Sequence, residues 1–194
     1  MATADPELVL ASTSPYRKAL LERLGLPFRC LDPALDEEPL KARGLPPAEL
    51  AERLARAKAA MAVARAPRAV VVGADQVCAL DGEVLSKPGD AEHARALLAR
   101  LAGRTHTLFT SVYVLAPGKT SGWCDETRLT MRALDEHQIA RYVAADEPSD
   151  CIYKVEARGV TLFERIESED FTAIQGLPLL RLTRELVALG FDVP

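Results

Sequence analysis

The stretch Leu8-Val-Leu-Ala-Ser-Thr-Ser-Pro-Tyr-Arg17 decides the fold class. Leu8 to Ala11 is a short, unbroken apolar run, as expected of a strand buried on both faces. Ser14 is a good N-cap, Pro15 fits the first helical position, and Gly25 stops the helix after Leu24. A buried strand that runs straight into a capped helix is the opening of an α/β unit.

The same alternation continues outward. A short apolar piece spans Phe28 to Leu31, followed by an acidic, proline-broken stretch through Leu45. A helix is expected from Pro47 to Ala64, with Leu50, Leu54 and Met61 on one face. Ala69-Val-Val-Val72 reads as a central strand ending at Gly73-Ala-Asp75. Val77–Leu80 and Glu83–Leu85 flank Asp81-Gly82, a strong hairpin signal. Asp90 caps a helix that ends at Gly103; further helices are expected over Asp135–Val143 and Pro178–Leu189, the last with Leu179, Leu182, Leu186 and Leu189 at helical spacing. Strands are expected over Thr107–Leu115, Arg128–Arg132 and Val160–Ile166. Residues 1–194 therefore read as a single α/β domain, its twisted sheet mixed because of the hairpin and flanked by helices.

Composition narrows the function classes. Hydrophobic residues make up 48% of the 194 and charged residues 27%, enough apolar surface for a core, and with 5% aromatics that core is aliphatic. A net charge of −4 speaks against a general nucleic-acid or membrane-surface binder, yet leaves room for a small anionic ligand held by local cations or a metal. No apolar run reaches the roughly 20 residues of a bilayer span. The first residues lack the basic start and apolar core of a secretory signal, so a cytoplasmic protein is expected. Cys30, Cys78, Cys124 and Cys151 are scattered without metal-site spacing and read as small buried hydrophobes. His93, His106 and His137 form no ligand pattern and read as surface or packing residues.

Three groups of residues could carry chemistry. The start of the helix after Ser12-Thr-Ser-Pro-Tyr-Arg17 offers unpaired N–H groups, the helix dipole and the hydroxyls of Ser12 and Ser14 to an anion such as phosphate. Arg17 and Lys18 sit in that first turn, where positive charge suits a bound polyanion better than the bare helix. A well-capped helix with solvated cations accounts for the motif taken alone. Asp75 follows a buried strand at the place where α/β proteins bind ligands, and can hold a metal or activate water; an ordinary turn residue fits there too. Asp36-Glu37-Glu38 offers hard oxygen ligands for Mg²⁺ or Mn²⁺, or is a solvated loop. Lys58 lies beside the apolar stripe of its helix, where it either snorkels to the rim or projects into a cleft. With Lys87 in Ser-Lys-Pro it could act as a point charge on phosphate, while Arg17 could bind bidentately. Gly118-Lys119-Thr120 is similar to the end of a P-loop, but Tyr113 stands where that loop needs glycine, so it reads as a turn.

Seven stretches, in order and spread over most of the chain, resemble the Maf family of nucleoside triphosphate pyrophosphatases. They are Leu-Ala-Ser-Thr-Ser-Pro-Tyr-Arg17, Asp-Glu-Glu38, Arg-Leu-Ala-Arg-Ala-Lys58-Ala, Gly-Ala-Asp-Gln-Val77, Ser-Lys87-Pro, Thr-Leu-Phe-Glu-Arg165 and Gly-Leu-Pro-Leu179. The resemblance implies a Maf/ITPase-like α/β fold with two lobes around a central cleft, commonly dimeric, that hydrolyses a nucleotide between its α and β phosphates with a divalent metal. Within the family the Ser-Thr-Ser-Pro-aromatic-Arg, Asp-Gln-Val-Cys78 and Leu-Phe-Glu-Arg165 stretches look like the YceF-type branch, which acts on 7-methyl-GTP. The sibling branch, acting on dTTP and UTP, has arginine in place of Tyr16 and threonine in place of Gln76.

Carried onto this chain, the family's functional positions are Ser12, Arg17, Glu37, Lys58, Asp75 and Lys87, and its specificity positions are Tyr16, Gln76 and Glu156. The implied roles are Asp75 as base, Glu37 and Asp75 on the metal, and Ser12, Arg17, Lys58 and Lys87 on phosphate. The positively charged ring of 7-methylguanine suits an aromatic face such as Tyr16, by roughly 0.5–2 kcal/mol. A carboxylate such as Glu156 can accept from the guanine N1–H and 2-amino group. Cys151–Gly159 departs from the branch: it is two residues shorter, and Ala157 replaces a glycine, so a reshaped base pocket is expected. A dTTP/UTP pyrophosphatase, or a non-catalytic nucleotide-binding regulator of cell division, are the other readings; pure binding would not require Asp75.

Overall fold

Leu8–Ala11 forms strand β1 with all four residues buried, and the chain turns through Ser12 into helix α1, Pro15–Glu22. The Ser14 side chain accepts from the Arg17 N–H, Pro15 occupies the first turn, and Gly25 takes φ +68 beyond the helix end. A computed structural model describes residues 6–147 and 151–193. In chain order the following elements are β2 (Phe28–Cys30), α2 (Glu38–Lys41), α3 (Pro47–Val63), β3 (Val70–Leu80), β4 (Glu83–Leu85), α4 (Ala91–Leu101), β5 (Thr105–Ala116), β6 (Lys119–Met131), α5 (Glu136–Asp146), β7 (Phe163–Glu167) and α6 (Leu179–Val187). Two 3₁₀ turns, Arg158–Leu162 and Phe171–Gln175, complete the set.

The sheet order is β2-β1-β3-β5-β6-β7, with β4 paired to β3. β1 runs parallel to β2 and β3, while β3–β4 and β6–β7 are antiparallel, so the expected mixed α/β sheet is observed. The chain divides into two compact units. One holds the described residues up to Val77, Phe109–Asp125 and those from Asp170 on; the other holds Cys78–Leu108 and Glu126–Glu169.

In the first unit, period-two alternation sends neighbouring strand residues to opposite faces. Leu8, Leu10, Val70, Val72, Val112 and Val114 join Leu20 and Leu21 of α1 and Leu182 and Leu186 of α6 in one core. Val9, Ala11 and Val71 pack the other face with Ala59 and Ala62 of α3. There the packing is unusually close. A Cβ at Gly73 would lie 2.4 Å from the Ala55 carbonyl oxygen and 2.7 Å from the Ala59 nitrogen, so helix backbone rests directly on strand backbone. The face that α3 buries is accordingly set by Ala51, Ala55, Ala59 and Ala62, with Leu50 and Leu54 on its flank. Met61, expected on the buried stripe, is 45% exposed, because the contact admits only small side chains in that half of the helix.

In the second unit α4 packs on α5. Asp90 caps α4 by accepting from the His93 N–H, and Asp135 with Gln138 forms a capping box on α5. Asp81 and Gly82 take φ +51 and +83 between Leu80 and its partner Glu83, the left-handed pair of a tight hairpin turn.

Other expectations needed correction. β3 does not end at Asp75 but continues to Leu80, since it leaves β1 at the Ala11–Gly73 pair and goes on to the β4 hairpin. β6 begins at Lys119, directly after a turn through Gly118 at φ +74, rather than at Arg128; its polar first half carries no clean alternation for the eye to find. Val160–Leu162 is 3₁₀ turn, and the strand starts only at Phe163. Of the cysteines only Cys78 is buried, with its thiol pushed up to about 12 by that burial; Cys30 is exposed and Cys124 and Cys151 are half-buried.

Gly73→Ala should destabilise the protein by about 1–3 kcal/mol, the usual range for overpacking. A urea unfolding midpoint unchanged from wild type would contradict the helix–strand contact.

Candidate active site

Residues two apart on a strand share a face, so Asp75 points to the side on which Gly73 meets α3. Lys58 lies on the matching face of the helix, between Ala55 and Ala59. Its Nζ donates to Asp75 Oδ1 at 2.5 Å and pairs with Glu37 Oε1 at 2.7 Å. The lysine neither snorkels nor waits at a rim: it is 9% exposed, Asp75 is 7% exposed, and the two carboxylates share one ammonium. Glu37 stands at the start of α2, and its second oxygen takes Lys41 Nζ at 3.0 Å. Partial burial alone would raise the Glu37 carboxyl, but Lys58 and Lys41 override it and hold the group at about 2. Lys41 responds in kind: desolvation lowers it, Glu37 and Glu38 more than compensate, and its pKa rises.

Arg17 enters from α1. Burial lowers the pKa of its guanidinium, and the fields of Asp75 and Glu37 pull it partly back, which puts all three charges in one electrostatic neighbourhood. The group remains a cation under any ordinary condition. Arg17 Nε donates to the Gly176 carbonyl at 3.0 Å. Gly176 has φ +98, a backbone conformation that favours glycine, and a Cβ there would meet that same Nε at 3.4 Å, an ordinary contact. Ser12 is buried at the end of β1, where its Oγ accepts the Ser14 N–H at 3.1 Å and keeps its own proton for another acceptor.

Gln76 alternates to the opposite face of β3. Its amide nitrogen is within reach of Thr110 Oγ1 and the Ala173 carbonyl at 2.9 Å and the Ile174 carbonyl at 3.1 Å, while Thr110 donates to Ala173 at 3.0 Å. Sequence reasoning missed this anchoring. It missed Asp170 as well, which is 3% exposed and accepts from the Thr172 N–H, the Thr172 hydroxyl and the Leu180 N–H. The Leu179 N–H closes on Thr172 Oγ1, so the first donors of α6 are satisfied from within the Asp170–Leu180 segment. Asp170 three residues before Ala173 and six before Gly176 was the available signal, an acid at a turn just before the Gly-Leu-Pro-Leu179 stretch.

Tyr16 is half-buried beside Arg17 in the first turn of α1. Lys87 and Glu156 are exposed and belong to the second unit. Ala157, where the branch has glycine, keeps a negative φ of −119 but takes ψ −133, outside the main extended and helical regions.

What can this arrangement hold? Among the described residues no three acidic, histidine or cysteine side chains form a metal cluster. Glu37 and Asp75 are nevertheless two carboxylates in one charge cluster, and Mg²⁺ is commonly held by one or two carboxylates, waters and substrate phosphates. The donor chemistry therefore fits a divalent ion shared with a polyphosphate. Burying Lys58 with Asp75 brings little net stability, because desolvation offsets the attraction, so a functional reason for the pair is the stronger one.

A family model described as "Maf-like protein" matches residues 7–189. A protein of Xanthomonas oryzae named 7-methyl-GTP pyrophosphatase is 44% identical over 191 residues, covering 97% of this chain and all of that protein. Proteins of the same name from Bdellovibrio bacteriovorus and Pseudomonas aeruginosa are 43% and 41% identical; the alignments cover 93% and 97% of this chain and 95% and 100% of those proteins. Among solved structures, the Ham1 protein of Staphylococcus aureus is similar in fold, with a TM-score of 0.51 at 16% identity, over 92% of this chain and 98% of that one.

The Glu37–Lys58 link gives a pH signature. Its contribution to stability is complete above about 4.3, the ordinary glutamate value, and is lost as pH falls through about 2. Carboxyl-carbon NMR should find the Glu37 midpoint near 2 in the wild type and displaced upward by more than one pH unit in Lys58→Met. An unshifted midpoint in that variant would rule the pairing out.

Proposed function

Because the chain belongs to the Maf family, we propose that it is a nucleoside triphosphate pyrophosphatase that converts 7-methyl-GTP and water to 7-methyl-GMP and pyrophosphate. The observation that carries this reading is the Glu37–Lys58–Asp75 cluster, with Lys58 and Asp75 buried, Glu37 half-buried and Arg17 in its field. Two carboxylates and two cations of fixed position match what phosphoryl chemistry needs, namely an acceptor for a water proton and positive charge where phosphate oxygens lie.

Lys58 Nζ carries three protons; two point to Glu37 and Asp75, and the third is available to a phosphate oxygen. Arg17, pinned at Nε by Gly176, keeps its terminal nitrogens for the same anion. Ser12 adds a hydroxyl donor. With Oδ1 of Asp75 held by Lys58, Oδ2 is left to take the proton of the attacking water. Water oxygen bonds to the α-phosphorus, the bond from that phosphorus to the α–β bridging oxygen breaks, and pyrophosphate leaves with the electron pair. A divalent cation, Mg²⁺ or Mn²⁺, would be held by Glu37 and Asp75 and would supply charge neutralisation on the triphosphate.

By the family pattern Lys87 takes further phosphate charge, and Tyr16, Gln76 and Glu156 discriminate the base. Gln76 has its amide nitrogen committed to Thr110, Ala173 and Ile174, so it contributes through Oε1 and by holding the turn that presents Gly176 to Arg17.

Asp75→Asn should fold normally and lower turnover of 7-methyl-GTP by roughly 10²–10⁴, the span of general-base effects. Pyrophosphate release is to be followed on 7-methyl-GTP, UTP and dTTP side by side, with Mg²⁺ or Mn²⁺ present. Near-normal turnover in the variant refutes the role of Asp75, and faster wild-type turnover of UTP or dTTP refutes the substrate.

A further inference from the structure

The second unit buries a polar pair that the reaction does not use. His106 of β5 is 1% exposed, Tyr153 is 8% exposed, and the imidazole Nε2 shares a 2.7 Å hydrogen bond with the tyrosine hydroxyl. Phe163 closes the group, edge-on to Tyr153 with centroids 4.9 Å apart and 6.0 Å from the His106 ring. His106 Nδ1 is buried with no hydrogen-bond partner among the described residues. Burial pushes the imidazole down to about 4, so it is neutral at physiological pH and its role is not that of a charge. Two apolar side chains of the same shape would fill this space at no loss of stability. A directional bond does something they cannot: it selects one rotamer of Tyr153.

Tyr153 opens a turn that is clamped at every step. The Lys154 N–H donates to the Tyr142 hydroxyl at 2.9 Å, and Lys154 Nζ donates to the Asp146 carbonyl at the end of α5 at 2.7 Å. The Lys154 carbonyl accepts from Ala157 at 3.0 Å and Gly159 at 2.9 Å. A Cβ on Gly159 would fall 2.4 Å from that carbonyl oxygen, so the closure requires glycine. Within this closed loop Glu156 is exposed and makes no hydrogen bond or ion pair with any described residue. A single carboxylate is held out on a braced turn whose base is locked by His106.

We propose that His106 is a positioning residue for base selection, acting through Tyr153 to fix the Lys154–Gly159 turn that presents Glu156 to the guanine edge of the substrate. The inference rests on the reading of Glu156 as a base contact. It predicts that the pair governs which nucleotide is used and leaves the phosphoryl chemistry alone.

The test compares Tyr153→Phe, which removes one oxygen, with His106→Leu and the conservative His106→Gln. Tyr153→Phe and His106→Leu should raise KM for 7-methyl-GTP about three- to tenfold, the effect of one lost buried hydrogen bond, with kcat and the KM for UTP within twofold of wild type. His106→Gln should recover most of the KM. Amide exchange over residues 154–159 should quicken in the first two variants while Val9 and Val71 stay protected. Equal losses on both nucleotides, or unchanged exchange at 154–159, overturn the proposal. A wild-type enzyme with no preference for 7-methyl-GTP fails the assigned activity instead, and the exchange measurement then decides alone whether His106 holds the turn.

Discussion

The contact of α3 with β3 at Gly73 is the constraint on which the candidate site depends. With no side chain on the strand and alanines on the helix, the two backbones approach closer than any larger residue allows. Strand periodicity then carries Asp75 to the same face as Gly73, and helix periodicity puts Lys58 between the two alanines that touch it. The lysine and the aspartate are thus brought into contact by packing rather than by their own attraction. Their attraction alone would not suffice, since removing both charges from water costs about as much as the pairing returns. Nonpolar packing elsewhere supplies the stability, and the buried charges are available for chemistry.

A second, independent device positions Arg17. Asp170 and Thr172 satisfy the first N–H groups of α6 and fix the 3₁₀ turn Phe171–Gln175, and Gln76 and Thr110 bind that turn to the sheet. Gly176 follows in the left-handed region and receives the Arg17 Nε. Gln76 stands next to Asp75 but faces the other way, so adjacent residues of one strand support the two halves of the charge cluster. A change at Gln76 would therefore reach Arg17 without touching it. Both Arg17 and Lys58 are cations with a carboxylate in their field, so the free protein is electrostatically satisfied, and a bound polyphosphate would redirect that positive charge toward its own oxygens.

Much of this was legible from residues alone. Leu8–Ala11, the Ser14–Pro15 start, the Asp81-Gly82 turn and the cap at Asp90 are local signals whose causes lie within a few residues, and the structure has all of them. The family stretches also identified Lys58, Asp75 and Glu37 before their contact could be known. What could not be read depends on distant partners. Met61 matches the period of Leu54 yet is exposed, because the buried face of α3 is chosen by Gly73, which is twelve residues further along the chain. The extension of β3 through polar Asp75 and Gln76 follows from its pairing with β4, and the burial of Lys58 from two carboxylates on other elements. The anchoring role of Gln76 is likewise invisible until Thr110, Ala173 and Ile174 are in place.

The central claim is that Lys58 and Asp75 work as one unit, and a double-mutant cycle on kcat/KM with Lys58→Met, Asp75→Asn and the combined variant tests it most directly. Groups acting as a unit are strongly non-additive, so the combined variant should be about as impaired as Asp75→Asn alone. Losses that simply multiply, as for two residues contributing separately, would contradict it.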